Sequence, residues 1–144
     1  MRAKMADSYC IDGTNVVRGC YGYGGDAFRR QEDADTERLI KAFALLCETL
    51  DGRIEVVVFF DGAFRPLPSP ASNLRVSFTH ELPDDDIILD RVRSRRYSGA
   101  GRVTVVTGDG ELGRKAGEEG ARWLRVGPGT RLEDLLRSIE RRFH

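Results

Sequence analysis

Ile54-Glu55-Val56-Val57-Val58-Phe59-Phe60, followed at once by Asp61-Gly62, decides the fold. All but Glu55 are apolar, and a strand that is apolar on both faces belongs inside a parallel sheet covered by helices on each side. Two further runs have the same form. Ser8-Tyr9-Cys10-Ile11 leads into Asp12-Gly13-Thr14-Asn15, and Arg102-Val103-Thr104-Val105-Val106-Thr107 leads into Gly108-Asp109. In an open α/β sheet the carboxyl ends of parallel strands share one edge, and ligands bind in the crevice outside it. Asp12, Asp61 and Asp109 at that edge, joined by Asp84-Asp85-Asp86, are placed to surround a hard divalent cation. The pattern points to metal-dependent phosphate chemistry.

Working outward, the stretch from Arg18 to about Asp33 reads as a loop, with Gly19, Gly22, Gly24 and Gly25 and the tyrosines Tyr21 and Tyr23. Asp35-Thr36-Glu37 reads as the opening of a helix whose Leu39, Ile40, Phe43, Leu46, Cys47 and Leu50 fall at helical spacing, with Gly52 ending it. Pro66, Pro68 and Pro70 stiffen the loop before a short alternating strand, Leu74 to Phe78. A helix from Asp84 to about Tyr97, a buried strand from Val103 to Val106, a helix from Glu111 to Glu119, a strand from Arg122 to Val126 and an amphipathic helix from Leu132 to Phe143 complete the chain. Strands and helices alternating at this length predict one three-layer α/β/α domain, residues 1–144, with a mainly parallel sheet.

Composition narrows the chemistry. The 144 residues carry 23 basic and 23 acidic side chains, so the balanced total names no partner and only local segregation does. Cys10, Cys20 and Cys47 form an odd set without paired spacing: Cys10 and Cys47 sit in apolar runs as small buried hydrophobes, and a free thiol at Cys20 suits a reducing compartment. Nothing approaches a transmembrane length, and Met1 to Asp7 lacks the apolar region of a signal peptide, so the expected setting is the cytoplasm. His80 and His144, the two histidines, lack partners at ligand spacing. That excludes zinc and any Ser-His or Cys-His nucleophile, whereas Asp and Asn oxygens suit Mg²⁺ or Mn²⁺.

Each acid also has an ordinary role. Asp-Gly is a common turn, and Asn15 can cap a helix as readily as it can orient Asp12 or meet a phosphate. Carboxylates at a helix start are favoured by the helix dipole, yet three adjacent ones, with Asp90 one turn beyond Asp86, repel one another unless a cation neutralises them. Thr107 is placed to hydrogen-bond an acid or a water, and Gly108 allows close approach of the chain to a ligand. Arg91, Arg93, Arg95, Arg96 and Arg102 follow the acids without an intervening carboxylate, while Arg29, Arg30 and Arg65 fall in loops expected on the aspartate edge. Acids for a metal beside arginines for backbone phosphates form the donor set of a nucleic-acid-cutting site, with Tyr21 and Tyr23 available to stack unpaired bases.

Ile11-Asp12-Gly13-Thr14-Asn15-Val16, Val57-Val58-Phe59-Phe60-Asp61, Pro83-Asp84-Asp85-Asp86-Ile87 and Val105-Val106-Thr107-Gly108-Asp109 together resemble the NYN domain, a PIN-like nuclease fold, and especially its YacP-like branch. The resemblance spans Tyr9 to about Leu136. It implies a PIN-like fold and a metal-dependent ribonuclease with Asp12, Asp84 or Asp85, and Asp109 as the acidic centre and Asn15 in support. Pro83 stands where that family usually has alanine, which leaves Asp84 and Asp85 as alternatives for the inward position. Gly108 replaces the usual small hydroxyl residue, leaving Thr107 as the hydroxyl there. Asp12-Gly13-Thr14 and Gly108-Asp109-Gly110 also echo a haloacid-dehalogenase-like phosphatase, but the nucleophilic aspartate of that chemistry would fall at Cys10, which excludes it.

The sequence thus predicts an endoribonuclease acting on single-stranded or unpaired RNA with Mg²⁺ or Mn²⁺. Asp12, Asp84, Asp85 and Asp109 hold the metal directly or through water with Asp61 outside them, Asn15 orients Asp12 or the phosphate, Thr107 positions a ligand or water, and Arg29, Arg30, Arg65, Arg91 and Arg95 hold RNA, with the ribosome as a candidate further partner. The competing expectation is an RNA-binding or ribosome-associated module of the same fold that does not turn over.

Overall fold

The computed structural model describes residues 6–21, 28–67, 71–99 and 101–143, with the side chains of all of these except 28–31 and Asp84. The elements run β1 (Asp7–Asp12), α1 (Gly13–Tyr21), α2 (Phe28–Thr49), β2 (Ile54–Phe60), β3 (Leu74–Phe78), α3 (Asp84–Tyr97), β4 (Val103–Thr107), α4 (Gly110–Glu118), β5 (Arg122–Arg125) and α5 (Leu132–Glu140), ending in a 3-10 turn (Arg141–Phe143). The strands form one sheet in the order β3-β2-β1-β4-β5, and all four pairings are parallel.

Alternation along the strands sorts the core into two clusters. Tyr9 and Ile11 of β1, Val56, Val58 and Phe60 of β2 and Val106 of β4 pack with Val16 and Val17 of α1, Leu39, Ile40 and Phe43 of α2, and Leu135 and Ile139 of α5. Cys10, Val57, Phe59, Val103 and Val105 point the other way, against Ile88, Leu89 and Val92 of α3 and Leu112 and Ala116 of α4. The expected three-layer α/β/α sandwich with a parallel sheet is therefore present. No helix among the described residues is long and apolar enough to cross a membrane.

Most boundaries fall within three residues of the sequence reading, and two differ by more. The stretch after Asp12 is helical to Tyr21, and α2 begins at Phe28, seven residues before Asp35. Gly13 and Gly19 have low intrinsic helix propensity and obscure the period, but the buried pair Val16-Val17 secures α1 by packing on the sheet. Asp35 and Thr36 lie within α2, both buried, and are not its opening cap. Tyr21 is half-buried at the end of α1, packed on the core, so the structure does not offer it for base stacking. Tyr23 and the glycines Gly22, Gly24 and Gly25 lie outside the described residues.

β1 is the hinge of the topology. After it the chain builds β2 and β3 on one side, then crosses through α3 to build β4 and β5 on the other. The carboxyl ends of β1 and β4 therefore flank a switch point, where an open parallel sheet leaves its ligand crevice.

Candidate active site

The face and register of β1 and β4 bring Asp12 and Thr107 together. Cys10 pairs with Val105 and Ile11 with Val106, so the next pair is Asp12 with Thr107, both on the side covered by α3 and α4. Asp12 is only 3% exposed and Thr107 fully buried. The Thr107 hydroxyl donates to Asp12 Oδ2 at 2.8 Å and accepts the backbone N–H of Asp109 at 3.0 Å. One hydroxyl thus fixes a buried carboxylate and the turn that carries the next one. Carboxylates at this edge also face the N-terminal ends of α1, α3 and α4, where the helix dipole favours negative charge.

Asn15 fastens the same turn from α1. Its Oδ1 accepts the Gly108 N–H at 2.7 Å, so its job is to hold the Gly108-Asp109 turn rather than to bond Asp12. Gly108 is dictated by this closeness. A Cβ there would run into the Val126 carbonyl and lie 3.0 Å from Asn15 Oδ1, so the hydroxyl residue usual in the resembling family has no room. Gly13 is fixed in the same way, since a Cβ there would stand 2.6 Å from the Phe60 ring and 2.8 Å from the Phe59 carbonyl. Thr14, also buried, accepts the Asp61 N–H at 2.9 Å and ties the start of α1 to the end of β2.

Asp109 has two roles. Its Oδ1 accepts from the N–H groups of Glu111 and Leu112, at 2.9 and 3.3 Å, and so caps α4. Its Oδ2 accepts no hydrogen bond among the described residues and is the oxygen left for a ligand. Asp85 is half-buried and Asp86 exposed on the first turn of α3, on the same sheet face as Asp12, and Asp61 is exposed at the end of β2. The side chain of Asp84 lies outside the described residues. Among those that are described, no three His, Cys, Asp or Glu side chains gather closely enough to hold a metal ion by themselves.

The arginines divide into two groups. Arg65 rises on the aspartate edge, paired with Asp33 at 3.4 Å and stacked 5.8 Å from the Phe60 ring and 5.5 Å from the Phe78 ring. Arg91 and Arg95 are corrected by the direction of α3. That helix starts at the carboxyl edge and runs back, so at about 1.5 Å per residue they sit roughly 10 and 16 Å from Asp84 along its axis. Both reach Glu55, at the amino end of β2, at 3.6 and 2.5 Å. Arg93 pairs with Asp90 and Glu119, and Arg96 donates to the Glu119 carbonyl. Arg91, Arg93, Arg95 and Arg96 are spent on internal partners and do not form a patch beside the acids. The side chains of Arg29 and Arg30 lie outside the described residues.

Beside the acids, a cleft of about 310 Å³ opens between α1 and the loop after β5, lined by Asn15, Arg18, Gly108 and Gly127 among others. Sequence reading missed this cleft, whose only prior signal was the glycine pair Gly127 and Gly129 around Pro128. Cys10 and Cys47 are the buried apolar thiols expected, their pKa values pushed up to about 12 by burial.

No family model and no curated protein matches the chain. Among solved structures, the crystal structure of Rae1 (YacP) from Bacillus subtilis is similar, with a TM-score of 0.67, 23% sequence identity, and coverage of 94% of this chain and 78% of that one. The resemblance to the YacP-like branch drawn from the motifs is met at the level of the fold.

Proposed function

We propose that this chain is a metal-dependent endoribonuclease that hydrolyses single-stranded or unpaired RNA. The observation that carries the reading is the buried Asp12 carboxylate at the switch point, locked by a threonine hydroxyl that also holds the turn of Asp109. Asp12 and Asp109, carried by one hydroxyl-fixed turn at the strand ends, are the hard-oxygen donors that would hold a divalent cation there. The donor set fits Mg²⁺ or Mn²⁺: all ligands are hard oxygens, and Mg²⁺ is usually held by one or two carboxylates plus waters and substrate phosphate rather than by a full protein cage. The motif resemblance and the fold shared with Rae1 (YacP) support RNA as the substrate.

In this reading Asp12 and Asp109 would hold the metal, with Asp84 or Asp85 joining them directly or through water and Asp61 outside them. When bound, it would lower the pKa of an attacking water and offset charge on the scissile phosphate. Thr107 holds Asp12 Oδ2 so that the carboxylate cannot turn away. Asn15 places the Asp109 turn and lines the cleft. Arg65, with Arg29 and Arg30 from the neighbouring helix start, would meet backbone phosphates. Free thiols and an RNA substrate suit the cytoplasm, where the ribosome would be one source of substrate.

A second reading, an RNA-binding module without turnover, is favoured by one observation: Asp109 already has a structural task as the cap of α4. One experiment separates the two. Unstructured RNA is incubated with Mg²⁺, Mn²⁺ or EDTA, with and without ribosomes, using the wild type, Asp12→Asn and Asp109→Asn. Asparagine caps a helix as well as aspartate does, so Asp109→Asn should keep its melting temperature and lose cleavage. Binding without cleavage under every condition selects the second reading.

A further inference from the structure

Two loops rise from the aspartate edge on the side away from β4: residues 61–67 after β2 and residues 79–83 after β3. They are laced together. Thr79 N–H donates to the Phe60 carbonyl at 3.0 Å and His80 N–H to the Gly62 carbonyl at 2.9 Å, while Leu82 N–H closes the second loop on its own Thr79 carbonyl at 3.1 Å. His80 is held at φ 56, a left-handed backbone that no other non-glycine adopts among the described residues, opposite Gly62 at φ 92. Such conformations persist where the surroundings over-determine them, and they cluster at ligand sites.

On this scaffold Phe64 is 71% exposed and Leu82 65% exposed. Phe64 is nevertheless held: it meets the Phe78 ring edge-on at 5.5 Å and 73°, and Phe78 in turn packs 6.2 Å from the buried Phe60. The Arg65 guanidinium lies against the same Phe60–Phe78 pair. A large aromatic ring anchored on one side and otherwise in solvent, next to a cation, has the chemistry that takes a nucleobase and its phosphate. The ring packs on Phe78 of β3, two strand spacings, about 10 Å, from β1, so the platform stands on the same edge of the sheet as Asp12.

We propose that Phe64 is a stacking platform for an unpaired base of the bound strand, a few nucleotides from the acids, with Arg65 contacting the backbone there. This rests on the RNA-acting reading above and adds to it a reason for preferring unpaired RNA. A base inside a duplex has no free face to offer, whereas any unpaired base has one, so the platform selects for strandedness and tolerates sequence. The acids lie between this platform and the cleft beside Asn15, so a strand crossing the edge runs from one to the other over Asp12.

The test measures affinity in EDTA, where no cleavage occurs, for a labelled unstructured RNA and for a duplex. Phe64→Ala should weaken binding of the unstructured RNA about ten-fold and leave duplex binding and melting temperature unchanged. Phe64→Trp should keep the affinity, and RNA should quench the introduced indole. Phe64→Leu, apolar but without a stacking face, should behave as Phe64→Ala. Full affinity in Phe64→Leu overturns stacking. Full affinity in Phe64→Ala overturns the platform while leaving the nuclease reading standing. Failure of the wild type to bind any RNA removes both.

Discussion

Removing the Thr107 hydroxyl strips a partner from two groups at once, the Asp12 carboxylate and the Asp109 N–H. Thr107→Val keeps the shape of the side chain and leaves both groups short of a bond in a buried setting, which costs about 1–3 kcal/mol. Urea unfolding should show that loss, RNA cleavage should fall with it, and Thr107→Ser should restore most of both. Position 108 gives the opposite lesson. Restoring the hydroxyl usual in the resembling family, Gly108→Ser, drives a Cβ into the Val126 carbonyl and should destabilise the protein by about 1–3 kcal/mol, read from the same unfolding curves. At this scale the sequence was half legible. Asp12 and Thr107 were readable because each ends an apolar run, and the alternation of side chains carries them to one face. That Asn15 would bond Gly108 rather than Asp12 was not, because its partner is set by how closely the loop after β5 presses on the β4 turn.

The elements that came out as read are those whose burial is written in their period, such as β2 and β3, whose bounds match residue for residue. Its glycines hide α1 in the sequence, and the arginine run lies away from the acids because neighbours along a helix are not neighbours in space. A crossover helix carries its first turn to one edge of the sheet and its last turn to the other, so α3 holds acids at the site and arginines some 10 Å or more away. Among the described residues, Glu55 pairs with both Arg91 and Arg95, with the three side chains 29%, 25% and 19% exposed. Glu55→Gln should therefore destabilise the protein by about 2 kcal/mol, discounted from a fully buried pair because water reaches all three. Arg91→Ala should leave RNA affinity and its salt dependence unchanged. A lost salt dependence in Arg91→Ala would return that arginine to the RNA surface.

For the whole molecule, the buried thiols set an alkaline limit. Cys10 and Cys47 are held near 12 in the folded protein by burial, against 9.0 when exposed. A raised pKa favours the folded state fully below pH 9, and that advantage drains away from pH 9 to 12 as the unfolded thiols ionise. Each contributes a slope of about 1.4 kcal/mol per pH unit in that window. Denaturation series at pH 8, 9 and 10 should show the decline, and Cys10→Ala should reduce its steepness. The sheet order has a consequence in time as well as in space. β1 occupies the middle of the sheet, yet it is synthesised before both of its neighbours, and β4 leaves the ribosome some ninety residues after it. During translation the strand that will be most enclosed is the one longest without a partner. Until residue 107 has emerged, one side of β1 presents an unpaired apolar edge, the feature that seeds wrong pairing between nascent chains.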